Sequence, residues 1–236
     1  MTWMLHQYSH NDELVKVLSQ RIAQSLLDAI AERGKASLAV SGGSTPVSLF
    51  QALANIDIPW SKIVVTLVDE RWVPETHPDS NARLVRQYLL QDHAAKARFI
   101  GLKTDAEDPF SAVPEVEAKL LEEVMPLDVV VLGMGEDGHT ASFFPLAEGL
   151  AEALESEQRI CCGIAPPNAP YPRMTLSLSA LLGAKQLFLH IIGAKKKQVL
   201  EAANVAGPVT ELPVRAVLHQ AKVMMEIFYA DQDSRS

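Results

Sequence analysis

Three short clusters in this chain combine residue types and spacing that could do chemistry, and together they suit a substrate carrying a phosphate. The first is Ser41-Gly42-Gly43-Ser44-Thr45-Pro46. Its two glycines let the backbone come close to a ligand, its hydroxyls add donors, and Pro46 opens a helix whose free N–H groups attract an anion. The competing reading is a plain strand-to-helix turn capped by Ser44 or Thr45. The second cluster is Gly133-Met134-Gly135-Glu136-Asp137-Gly138-His139-Thr140-Ala141-Ser142. It contains a literal G-x-G-x-x-G, but it follows a middle strand and runs quickly into Phe144-Pro145. The next strand ends in Ala165-Pro166, without the acid that would hold a ribose, so a dinucleotide site is rejected. What the turn does offer is Asp137 and His139 two residues apart, a carboxylate-placed imidazole suited to general-base work at neutral pH. The third cluster, Asp69-Glu70-Arg71-Trp72-Val73-Pro74, puts three charges directly behind an apolar run. Such charges either form a solvated, salt-bridging loop or face a cleft.

Further cations come later. Arg173 leaves the proline-rich stretch Ala165–Pro172, which reads as an ordered active-site loop, and Lys195-Lys196-Lys197 follow Gly193. Lysines in the first turn of a helix oppose its dipole, a conflict that makes sense if one of them points at an anion. No metal constellation is found: His6, His10, His77, His93, His190 and His219 are scattered, without paired-Cys or H-x-x-x-H spacing. There is no G-x-S-x-G elbow and no P-loop. The expectation is chemistry by His, Asp and Arg with neither metal nor cofactor.

These clusters are placed by what precedes them. Short apolar runs at Ser37–Val40, Ile63–Val68, Phe99–Leu102, Val129–Leu132, Ile160–Ile164, Leu187–Ile192 and Val223–Phe228 alternate with helical patterns. The first helix carries Leu14, Leu18, Ile22, Leu26 and Ile30 at four-residue spacing, with Asn11 as its cap and Gly34 as its stop. Others are expected near Val47–Ala54, Asn81–Gln91, Val116–Val124, Leu178–Leu182, Lys195–Ala203 and Val214–Gln220. Continuous apolar strands alternating with helices predict an α/β fold: one Rossmann-like, open, mostly parallel sheet with helices on both faces. In such sheets ligands bind beyond the carboxyl ends of the strands, where the three clusters lie. Residues 1–230 are read as one domain and 231–236 as a frayed tail.

Composition narrows the partners. The 236 residues are 48% hydrophobic and 21% charged, ordinary globular usage, and a chain of this size buries roughly 70% of its unfolded surface without a staple. With 21 Lys+Arg against 29 Asp+Glu the net charge is −8, which argues against a nucleic acid or an anionic membrane surface as partner. The N-terminus lacks the pattern of a signal peptide, and the apolar runs fall far short of a membrane helix. The two cysteines, Cys161 and Cys162, are neighbours that point to opposite faces of a strand. They read as buried thiols of a cytoplasmic protein. Monomer and weak dimer both stay open.

The set SGGSTP at 41–46, DERWVP at 69–74 with HPDSN at 77–81, GMGEDGHTASFFP at 133–145, PRMTLS at 172–177 and GAKKK at 193–197 resembles the 6-phosphogluconolactonases. The resemblance runs in order along nearly the whole chain and implies hydrolysis of 6-phospho-D-glucono-1,5-lactone. It implies His139 as the base activating water, with Asp137 orienting it or meeting sugar hydroxyls. Arg71 is the candidate for polarising the lactone carbonyl, and Asp69 for positioning Arg71 or a hydroxyl. The backbone of Gly42, Gly43 and Ser44, within the Ser41–Thr45 loop, would hold the phosphate with Arg173 and Lys196 as clamps. Lys196 is chosen because the corresponding lysine of that family lies three residues after the glycine. The related glucosamine-6-phosphate isomerases/deaminases follow the histidine with I-A-F-N-E-P; here Phe144 stands where that glutamate would be. A non-catalytic sugar-phosphate sensor is the third reading.

Overall fold

The computed structural model describes residues 3–232. In chain order the elements are β1 (Trp3–His10), α1 (Asn11–Arg33), β2 (Ala36–Val40), α2 (Val47–Ala54), β3 (Ile63–Leu67), β4 (Asp69–Arg71), α3 (Asn81–Tyr88), β5 (Arg98–Ile100), α4 (Pro109–Glu123) and β6 (Val129–Leu132). There follow α5 (Leu150–Glu155), β7 (Cys161–Ile164), β8 (Arg173–Leu176), α6 (Leu178–Leu182), β9 (Gln186–Ile192), α7 (Ala194–Asn204), α8 (Arg215–Leu218) and β10 (Met225–Gln232). Among the described residues the strands form a seven-stranded sheet in the order β1-β10-β9-β6-β2-β3-β5 and a three-stranded sheet in the order β4-β8-β7. Every pairing in the larger sheet is parallel. Its central strands β2 and β6 are buried along their whole length, which is why their sequences are apolar without alternation. With helices on both faces this is the expected fold class.

From β2 the chain builds outward through β3 and β5, then returns to lay β6 on the other side of β2. The carboxyl ends of β2 and β6 therefore flank a switch point, where an open α/β sheet leaves a crevice. Ser41 closes its base: its N–H donates to Val131 O (3.0 Å), and its Oγ accepts from Gly133 N (3.3 Å).

Several boundaries differ from the sequence reading. The N-terminal edge strand β1 was not expected, because it mixes polar and apolar residues and is only half covered. Helix α1 starts at Asn11 but is not capped by it; the Asn11 side chain turns inward, donating to Ser48 Oγ (3.0 Å) and meeting His190 Nε2 (3.1 Å). Helix α4 begins at Pro109, earlier than expected, and runs through Pro114, with the Asp108 side chain accepting from Phe110 N and Ser111 N as its cap. The run 160–164 does contain a strand, but β7 belongs to the smaller antiparallel sheet. The supposed tail begins too early at Asp231: β10 continues to Gln232, which pairs with His10. Residues 233–236 lie outside the described part.

The smaller sheet grows directly out of the larger. Val68, between β3 and β4, donates its N–H to Val40 O (2.9 Å) in one sheet, and its carbonyl accepts from Leu176 N (2.8 Å) in the other.

Candidate active site

The carboxyl ends of β2, β3 and β6 open into a cleft of about 220 Å³ that also takes in Arg173 and Lys196. Every sequence-predicted site residue except Asp137 lines it, and Asp137 is bonded to one that does.

The turn after β6 is tight. Gly135 N–H donates to His139 O (2.9 Å) and Gly138 N–H to Gly135 O (3.1 Å), folding Asp137 and His139 back over Gly135. A side chain at Gly135 would lie 2.2 Å from His139 Nδ1, so only glycine leaves room for the ring. Asp137 Oδ1 accepts from the His139 backbone N–H (3.1 Å) and meets His139 Nδ1 at 2.5 Å. A proton on Nδ1 then points at the carboxylate and leaves the Nε2 lone pair available. Burial works against the Asp137 charge, yet hydrogen bonding and the charge of His139 outweigh it and hold this carboxyl below the usual aspartate range. The ring of His139 stacks on Phe144 at 4.2 Å between centroids.

On the glycine loop, α2 has no side-chain cap, so the hydroxyls of Ser44 and Thr45 are not consumed by capping. Across the loop stands Lys196, its Nζ 3.4 Å from Thr45 Oγ1. Burial pulls its ammonium below the usual lysine range, with Glu136 partly offsetting that. Its neighbours turn elsewhere: Lys195 Nζ lies 3.5 Å from Glu136, and Lys197 Nζ sits over the Tyr229 ring at 5.3 Å.

The three successive charges at 69–71 are sorted by the pleat of β4, whose alternate side chains face opposite ways. Asp69 and Arg71 face the cleft. Glu70, 1% exposed, points back to the start of α3, where its carboxylate accepts from Arg71 N, Asn81 N, Ala82 N and Ser80 Oγ. Burial raises its pKa above the usual glutamate range, and these four bonds pull the other way. Glu70 is therefore the scaffold of the cluster, neither a cleft residue nor a solvated one.

Asn81 is a site residue to which the sequence reading gave no role. Its Oδ1 accepts from Arg71 Nη1 (2.8 Å), and its Nδ2 donates to Asp69 O (2.8 Å). It also packs so closely on Gly42 that a side chain there would meet Asn81 Oδ1 at 1.9 Å. The only available signal was its place in the HPDSN segment. Of the two roles expected for Asp69, positioning Arg71 or a substrate hydroxyl, the first is not seen: Arg71 is held by Asn81 and by Asp79 O (2.7 Å), while Asp69 Oδ2 accepts from Ser142 Oγ (2.6 Å). That bond fastens the His139 turn to β4.

Arg71 and Arg173 were expected at opposite ends of the substrate. They are in fact cross-strand partners in the β4–β8 pairing. Arg173 is 6% exposed; its guanidinium donates to Tyr171 O and Pro170 O and lies 5.4 Å from the Phe144 ring. Burial lowers its pKa, Asp69 counteracts this, and Arg71 adds to the lowering. Two adjacent guanidinium groups in a cleft repel each other unless an anion lies between them. Among the described residues, no group of three or more His, Cys, Asp or Glu side chains is placed to hold a metal ion.

Comparison with known proteins identifies the family. The family model described as glucosamine-6-phosphate isomerases/6-phosphogluconolactonase matches residues 9–225. The chain belongs to this family. A 6-phosphogluconolactonase of Rhizobium meliloti is 44% identical over 98% of this chain and 100% of its own length. One of Pseudomonas aeruginosa is 45% identical over 87% of each chain. The crystal structure of a 6-phosphogluconolactonase from Shewanella baltica superposes with a TM-score of 0.94 at 42% identity, covering 96% of this chain and 97% of that one.

Proposed function

We propose that this chain hydrolyses 6-phospho-D-glucono-1,5-lactone to 6-phospho-D-gluconate, the activity named for its relatives. The observation that carries the reading is the Asp137–His139 pair facing a cleft that also holds three cations and a glycine loop. In the proposed reaction Nε2 of His139 takes a proton from water as the water oxygen bonds to C1. The resulting tetrahedral oxyanion collapses with cleavage of the bond from C1 to the ring oxygen, and the imidazolium returns its proton to that oxygen. Asp137 holds the ring in the required tautomer and balances its transient charge.

The phosphate is assigned to the glycine loop, Lys196 and the Arg71–Arg173 pair. A dianion there relieves the repulsion between the two arginines and neutralises a half-buried lysine. Arg71 thus moves from the carbonyl to the phosphate in this assignment, because Asn81 ties it beside Gly42. Phosphate binding remote from C1 fixes where the lactone lies relative to His139. Phe144 beside His139 supports hydrolysis over isomerisation, since an apolar ring occupies the place of a second proton carrier. The buried, unpaired Cys161 and Cys162 support a cytoplasmic location.

The test follows decay of freshly generated lactone with wild type, with His139→Ala and with no protein, because the lactone also opens unaided. Acceleration by wild type and its loss in the variant are expected. Equal acceleration by both would remove His139 from the mechanism, and none by either would remove the activity.

A further inference from the structure

The catalytic turn is gripped from behind by a segment that none of the chemistry uses. Residues 205–214 connect α7 to α8 and cross beneath the turn, where Val214 N–H donates to Gly138 O (2.9 Å). Gly138 is the residue between Asp137 and His139. Its φ of 76° exposes its Cα to Leu212, so closely that a methyl group there would lie 2.6 Å from Leu212 Cδ2. The segment is itself stapled by Arg215, 7% exposed, which donates to Pro208 O (2.9 Å) and Ala202 O (3.3 Å) and packs on Gly207. Arg215 N–H also bonds to Leu212 O (2.9 Å), so the staple and the contact residue move together. A second grip comes from α7, where Lys195 reaches Glu136.

We infer that Leu212, locked by Arg215, is a positioning residue that sets the Asp137–His139 geometry by fixing the peptide between them. The inference rests on the reading of His139 as the base. Two side chains separated by one residue meet only over a narrow range of the torsions at that residue, and those torsions belong to Gly138. A bulky group against its Cα and a hydrogen bond to its carbonyl hold both sides of that peptide. Without the packing, the turn keeps its chain path while the ring and carboxylate lose their register.

Three full-length variants test this: Leu212→Ala, Leu212→Met, and Val205→Ser, which alters an exposed side chain of the same segment. Each is measured for kcat and KM on the lactone and for the ring ¹⁵N shifts of His139 at pH 8, which report the tautomer and are assigned by their absence in His139→Ala. Leu212→Ala should lower kcat about tenfold or more with KM within about twofold, since misplacement of a reacting group by an ångström is costly. Its ring shifts should move from the Nδ1–H tautomer towards Nε2–H. Leu212→Met should restore most of both, and Val205→Ser should match wild type. Unchanged ring shifts in Leu212→Ala overturn the inference whatever happens to kcat, as does an equal loss in Val205→Ser. Should His139→Ala keep normal turnover, the base assignment fails on its own, and the ring shifts still decide whether Leu212 positions the pair.

Discussion

Replacing Glu70 by Gln removes one charge and no volume, and the consequence can be worked out bond by bond. One carboxylate oxygen accepts from Arg71 N and Asn81 N, the other from Ser80 Oγ and Ala82 N. A glutamine has one acceptor oxygen. Placed on the first pair, it turns its NH₂ towards Ser80, whose hydroxyl can rotate to accept, and towards Ala82 N, which cannot. One buried N–H is left stranded, at a cost of about 1–3 kcal/mol, and the surviving bonds lose their charge assistance at roughly 1 kcal/mol each. Against this, the variant no longer buries a charge, an opposing effect visible in the raised pKa of Glu70. The net expectation is a loss of about 2–3 kcal/mol. In urea titrations that amounts to a midpoint lower by about 1 M with an unchanged slope. KM should rise as well, because Arg71 and Asn81 are anchored through the same carboxylate. A midpoint within about 0.2 M of wild type together with an unaltered KM would refute the view of Glu70 as the scaffold of the cluster.

Other consequences are quickly checked. Lys196→Ala and Arg173→Ala should each raise KM for the lactone by about tenfold or more while changing kcat less, since charge-assisted bonds to a phosphate are worth roughly 1.5–3 kcal/mol each; a loss confined to kcat would put the phosphate at the wrong end. Asp137 has a depressed pKa, so its stabilising contribution is complete above its ordinary value of 3.8 and disappears as pH falls through its lower folded value. The stability gap between wild type and Asp137→Asn, measured by urea midpoint, should thus be present at pH 7 and close below 3.8; a gap that widens on acidification contradicts the pairing. Burial pushes the Cys162 thiol up to about 12 and the Cys161 thiol up as well, so iodoacetamide at pH 8 should label neither in the native protein and both in urea.

The central architecture was legible because strands buried on both faces advertise themselves. Ile63–Val68, Val129–Leu132 and Leu187–Ile192 are apolar runs interrupted only by Thr66 and His190, and the chemistry follows their carboxyl ends as the topology requires. The smaller sheet was not legible. Asp69–Arg71 and Arg173–Leu176 are strands too short and too charged to show a pattern, and the pairing that brings Arg71 opposite Arg173 leaves no trace in periodicity. Hence both arginines were found but their adjacency was not. The three lysines at 195–197 could not be separated by composition; helical spacing alone sends them to Glu136, the cleft and Tyr229 respectively. Asn81 was hidden for another reason: an amide acts here only through what it touches, and its partners are distant in sequence.

The junction at Val68 works as a reading frame. Up to this residue the strand counts in the larger sheet, and after it the same alternation continues in the smaller one, so the place of Asp69, Glu70 and Arg71 is decided by parity. With the pleat in phase, two charges are delivered to the cleft and one to the helix behind it. A single residue inserted at the junction would leave the composition of the cluster untouched and exchange those destinations. The length of the join is therefore as much a part of the site as the residues that follow it.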